Sequence, residues 1–144
     1  MHYQGWETSL HVLTEALEQH APIAGIVAFS QGSAAASLLI AHLQATQSPL
    51  LVHLQTAVLV SGFVPHDPQY AAQLQANPLR VRSLHVMGER DTLVPRVRGE
   101  QLLQAWSGAE VYVHDGGHMV PTCSGAWKQR LVGFVDSQVA ASKV

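Results

Sequence analysis

Ser30, Asp91 and His118 are the residues of this sequence whose types and placement could open an acyl bond. Ser30 sits in Ala28-Phe29-Ser30-Gln31-Gly32, after an apolar run that begins at Ile23 and before a stretch rich in small residues, Ala34, Ala35 and Ala36. A serine at such a sharp passage from strand to helix is held in a strained backbone conformation that pushes its hydroxyl out above the sheet. Strand and helix then almost touch, so Ala28 and Gly32, two positions before and after, must be small. Asp91 closes the loop Gly88-Glu89-Arg90-Asp91, and His118 follows Gly116-Gly117. In that order the three form a hydrolytic triad: His118 takes the proton of the Ser30 hydroxyl, and Asp91 orients the imidazole and stabilises it when charged. The backbone N–H of Gln31, at the positive end of the following helix, is an oxyanion donor.

Each residue has a competing explanation. Ser30 could be an ordinary helix N-cap, its hydroxyl turned to the helix backbone. Asp91 could be a turn aspartate. Asp115 is a rival acid, but it shares a loop with His118 and more naturally shapes that turn. His114 and His118 have the spacing of helical metal ligands, yet two glycines separate them and no third ligand is evident, so no metal site is expected. Cys123 lies near His118, but a Cys-His pair would leave the Ser30 turn unexplained. His66, Asp67, Tyr70 and Arg90 show no compelling role.

The elements that must position these residues follow from periodicity. Trp6, Leu10, Leu13 and Leu17 lie on one face of a helix over Trp6 to Gln19, stopped by Ala21-Pro22. Ile23 to Phe29 is a strand, apolar throughout as one covered on both faces would be. Gln31 to Ala45 is helical. Thr56 to Ser61 is a second buried strand, and a short helix within His66 to Pro78 could sit over a pocket. Arg82 to Met87 is the third strand. Arg96 to Trp106 is a helix with Val97, Leu102, Leu103 and Trp106 on its apolar side. Glu110 to Val113 is the fourth strand. Ser124 to Val139 closes the chain as a helix facing inward through Trp127, Leu131, Phe134, Val135 and Val139, with a frayed tail from Ala140. Strands alternating with helices predict an α/β fold, a mostly parallel sheet of about four strands with helices on both faces. In such sheets, ligands gather at the carboxyl ends of strands, where Ser30, Ser61-Gly62-Phe63, Asp91 and His118 all fall.

Composition narrows the function classes. With 144 residues, the chain is expected to form one domain spanning 1–144. Its charged fraction of 12% against 47% apolar residues predicts a folded core rather than a disordered tail. A net charge of −2 offers no footprint for nucleic acid. No apolar run reaches the length of a membrane span, and Met1-His2-Tyr3-Gln4 has no signal-peptide pattern, so a cytoplasmic location is expected. The single cysteine excludes an internal disulfide framework.

Four motifs taken together resemble the FSH family of serine hydrolases: Ala28-Phe29-Ser30-Gln31-Gly32, Val60-Ser61-Gly62-Phe63, Gly88-Glu89-Arg90-Asp91-Thr92-Leu93-Val94-Pro95, and His114-Asp115-Gly116-Gly117-His118-Met119-Val120-Pro121. That family consists of small α/β-hydrolases, among them carboxylesterases, fungal polyketide-releasing thioesterases and the ovarian-cancer-associated protein 2 type. The likeness runs from about Gly5 to Phe134. It implies an α/β-hydrolase fold, no cofactor, and an ester or thioester hydrolase with Ser30 as nucleophile, Asp91 as acid and His118 as base. Phe63, Val94 and Met119, on the loops around these residues, would contact an apolar acyl group of a small-molecule substrate. Ser61-Gly62-Phe63 resembles a wall beside the site.

One departure has physical consequences. Family members carry further strands before the one that leads to the nucleophilic serine, with a His-Gly type loop that gives the second oxyanion N–H, whereas here one helix precedes that strand. The chain thus resembles the carboxyl-terminal part of such a hydrolase. Ile23 to Phe29 becomes an apolar sheet edge, open to pairing with a second copy as a homodimer. The alternative function is a catalytically weak or inactive hydrolase fragment that serves as a binding domain. A lyase or peptidase on the same fold is a third reading.

Overall fold

The computed structural model describes residues 2–142, with side chains to residue 137. Its centre is a sheet of four strands in the order β1-β2-β3-β4: Gly25–Phe29, Thr56–Val60, Arg82–Gly88 and Glu110–His114. Every neighbouring pair is parallel. Between the strands run α2 (Gln31–Ala45), α3 (Pro68–Ala76) and α4 (Arg96–Leu103), while α1 (Trp6–Gln19) precedes the sheet and α5 (Gly125–Ser142) follows it. A short 3-10 turn at Pro49–Val52 leads into β2.

The two sheet faces are covered differently because strand side chains alternate between them. Ala57 and Leu59 point to the face that carries Leu38, Ile40, Leu74 and Leu102 from the helices that connect the strands, with Trp106 from the chain just after α4. Val58, Val60, Leu84 and Val86 point to the opposite face and meet Trp127 and Phe134 of α5. The α1 helix packs outside α2, where Leu17 is buried with Leu39 and Leu43, flanked by Trp6, Leu10 and Leu13. The expected α/β architecture with helices on both faces is therefore present. No helix among the described residues is long and apolar enough to cross a membrane.

Three expectations change. β1 is the apolar sheet edge that was expected, but it is not covered on both faces: α5 spans only β2 to β4, so Val27 is 74% exposed and Phe29 is 39% exposed. Val97 is exposed, because α4 stops at Leu103 and turns its other side, Gly99 and Leu102, to the sheet. Val135 is likewise exposed beside buried Phe134. The Val139 side chain lies outside the described residues.

One buried polar group in the sheet stands apart from the site. His85 of β3 is 2% exposed, its Nε2 is 3.0 Å from Ser83 Oγ, and its ring lies edge-on to Trp106. Burial pushes its pKa down from 6.5 to about 4, so the imidazole is neutral at ordinary pH.

Candidate active site

Ser30 occupies the N-cap position of α2 with φ 55° and ψ −121°, and its side chain makes no capping hydrogen bond. The ordinary explanation of this serine is thereby removed. Positive φ in a residue with a Cβ is strained, at roughly 1–3 kcal/mol, and persists only where surroundings impose it. Those surroundings are visible: the Ser30 N–H donates to Val60 O at 2.8 Å, and the Ser33 hydroxyl donates to the same carbonyl at 2.9 Å. The requirement for small flanking residues is looser than expected at one position, since a Cβ on Gly32 would lie 4.0 Å from Ala28 Cβ, an ordinary contact.

The hydroxyl points instead across the carboxyl end of the sheet. Ser30 Oγ is 2.9 Å from His118 Nε2, and His118 Nδ1 is 2.9 Å from Asp91 Oδ2. A carboxylate only accepts, so Nδ1 carries the proton and, in the neutral ring, Nε2 is left as the acceptor for the serine hydroxyl. The Asp91 side chain is fully buried and the His118 side chain is 18% exposed. Burial works against the ionised Asp91 carboxyl. Hydrogen bonds from the Val94 N–H and His118 outweigh it and hold the group below the usual carboxylate range. The second carboxylate oxygen accepts the N–H groups of Leu93 (3.0 Å) and Val94 (2.8 Å), which fixes its direction. Asp115 is exposed, and its backbone carbonyl accepts from Arg90 Nε.

Two loops hold Asp91 and His118 in this relation. Glu89 N–H donates to His114 O at 2.8 Å and Arg90 N–H to Gly116 O at 3.0 Å. The loop after β4 therefore lies directly on the end of β3, where a Cβ on Gly88 would stand 2.7 Å from Gly116 O. Sequence reasoning passed over Gly88, and only its place at a strand end hints at the requirement. Ser61, also at φ 50°, is buried at the end of β2, its hydroxyl without a hydrogen bond of full geometry but beside the Asp91 carboxyl. His114 Nδ1 accepts the Gly116 N–H at 3.1 Å, and Cys123 is exposed.

A cavity of about 340 Å³ opens beside the serine turn, lined by Tyr3, Trp6, Gln31, Ala35, Phe63 and Tyr70 among others. Phe63 carries the Arg98 guanidinium 4.4 Å above its ring, and Arg98 Nη2 donates to His66 Nε2 at 3.1 Å. Val94 is buried and Met119 is 44% exposed; neither lines this cavity. The Phe29 ring, by contrast, lies 4.9 Å from the His118 ring. Such an arrangement places a basic nitrogen against a hydroxyl, a backbone N–H of Gln31 nearby, and room for an apolar group.

Known proteins resemble this chain in both sequence and fold. The human esterase OVCA2 is 35% identical over 133 residues, which is 92% of this chain and 58% of that protein. The Caenorhabditis elegans esterase C25G4.2 is 31% identical over 140 residues, 94% of this chain and 61% of the relative. The chain thus spans about three fifths of the length of these relatives. Among solved structures, acyl-protein thioesterase 2 of Zea mays superposes with a TM-score of 0.67 at 19% identity, covering 94% of this chain and 65% of that one. Residues 1–129 match the serine hydrolase (FSH1) family, and the chain belongs to it.

Proposed function

We propose that residues 1–144 form a single hydrolase domain that cleaves carboxylic ester or thioester bonds through an acyl-Ser30 intermediate. The observation that carries this reading is the uninterrupted row from Ser30 Oγ through His118 to Asp91, with the hydroxyl free of any capping duty. As Ser30 Oγ attacks the acyl carbon, its proton passes to His118 Nε2, and Asp91 supports the imidazolium. The Gln31 N–H stabilises the negative oxygen of the tetrahedral intermediate. Collapse expels the alcohol or thiol, which takes the proton from His118. Water then attacks the acyl-serine with His118 as base, releasing the acid and restoring Ser30. No cofactor enters these steps. The aromatic lining of the cavity, Phe63 included, favours an apolar acyl group on a small molecule.

The second reading is a catalytically weak domain that works by binding. It is favoured by the bare edge of β1, where Val27 is 74% exposed and a second copy could add its own strand to make a homodimer.

Labelling with a fluorophosphonate probe separates the two. Covalent labelling of the folded chain, lost in Ser30→Ala, is the expected result. A folded chain that stays unlabelled would overturn the hydrolase reading and leave the binding one.

A further inference from the structure

Asp67 is the buried carboxylate that the proposed chemistry does not use. It is 2% exposed, at the N-cap of α3, on the segment that connects β2 to that helix. Its Oδ1 accepts the Gln69 N–H at 3.0 Å, which is the ordinary work of a cap. Asparagine or serine would do that equally well without placing a charge in the interior. The acid is explained by its other oxygen. Oδ2 accepts the Tyr3 N–H at 2.8 Å, from a residue 64 positions away, and His2 Nδ1 stands 3.5 Å from the same atom. The Tyr3 N–H is also the strongest influence holding the Asp67 carboxyl below its ordinary pKa.

Tyr3 belongs to the segment ahead of α1 that has no regular structure of its own. Its ring stacks on Tyr70 at 6.3 Å, Trp6 meets the same ring edge-on, and its hydroxyl accepts the His66 N–H at 3.4 Å. Tyr3, Gln4, Gly5 and Trp6 form one wall of the 340 Å³ cavity, facing Gln31 and Gly32 of the serine turn. The wall beside the reacting serine thus hangs on α3, and its one charge-assisted tie is to Asp67.

We propose that Asp67 is a positioning residue that fixes the Tyr3–Trp6 wall of the cavity and so sets which acyl groups fit beside Ser30. This rests on Ser30 being the nucleophile. When the tie is cut, the wall loosens, and acyl groups long enough to lie along it lose their contacts while short ones do not.

The test compares wild type, Asp67→Ala, Tyr3→Ala and the double variant on p-nitrophenyl acetate, butyrate and octanoate. Asp67→Ala is expected to raise KM for octanoate by roughly tenfold, the scale of one charged hydrogen bond, with kcat and the acetate KM little changed. Tyr3→Ala removes the ring that stacks on Tyr70 but keeps the N–H bonded to Asp67; because both changes loosen the same wall, the double variant should lose less than the sum of the two. Hydrogen exchange of the amides from Tyr3 to Trp6 should quicken in Asp67→Ala, and this readout does not depend on hydrolysis. Should the alanine variant fail to fold, Asp67→Asn keeps the helix cap and is read the same way. A uniform fall in kcat for all three esters, additive losses in the double variant, or unchanged exchange would overturn the proposal. A wild type that neither hydrolyses these esters nor labels at Ser30 would instead sink the hydrolase reading, and exchange alone would then decide the role of Asp67 in holding the wall.

Discussion

A methyl group on Gly88 would stand 2.5 Å from the carbonyl oxygen of Gly117. The loop bearing His118 is laid on the end of β3 so closely that a Cβ at this position would push that loop away from Asp91. Gly88→Ala should therefore separate the two loops, destabilising the fold by about 1–3 kcal/mol and depressing any Ser30 labelling. Gly32→Ala, whose added carbon meets only Ala28 at 4.0 Å, should be well tolerated. Urea unfolding of both variants, alongside probe labelling, checks the contrast.

Asp91 and Asp115 can be told apart by amide substitution. Asp91→Asn leaves the shape but presents an N–H₂ or a neutral oxygen to His118 Nδ1, and should cut kcat by about 10³–10⁴-fold. Asp115→Asn alters an exposed side chain and should change little. Ester turnover measured side by side decides, and a larger loss in Asp115→Asn would reverse the assignment.

Acid should weaken the fold through His85. Its folded pKa of about 4 lies below the ordinary 6.5, so between these values the unfolded chain binds a proton that the native chain refuses. Stability from this group is complete above pH 6.5 and falls away as pH drops towards 4, by up to roughly 3 kcal/mol. Unfolding followed by denaturant from pH 7.5 down to 4 should show this slope, and His85→Leu should flatten it.

Self-association should depend on β1. A lysine at position 27 puts charge on the exposed face of the edge strand, where Val27 is 74% exposed. Light scattering of concentrated wild type and Val27→Lys should show less association in the variant; equal masses would count against pairing through that edge.

Much of the architecture was legible because it is local. The Trp6, Leu10, Leu13 and Leu17 stripe and the alanine-rich run after Ser30 mark α1 and α2 to the residue, and apolar runs mark the strands. The meeting of Ser30, Asp91 and His118 was legible from a topological rule, that each follows the carboxyl end of a parallel strand. What escaped depends on distant neighbours. Nothing around Asp67 announces that its carboxylate receives an N–H from Tyr3, and nothing around Gly88 announces the loop above it. The apolar reading of Val27, Val97 and Val135 failed for a related reason: hydrophobicity shows that a residue can be covered, while the sheet order and the reach of α5 decide whether it is.

The carbonyl of Val60 receives both the Ser30 N–H and the Ser33 hydroxyl. Val60 is fully buried in β2, flanked by a strand on each side. The serine turn is therefore moored to the interior of the sheet from two sides, by the chain leaving β1 and by the helix after it. Breathing of the outermost strand from its Gly25 end would leave that mooring in place, so motion at the rim and registration of the hydroxyl are mechanically separate in this molecule.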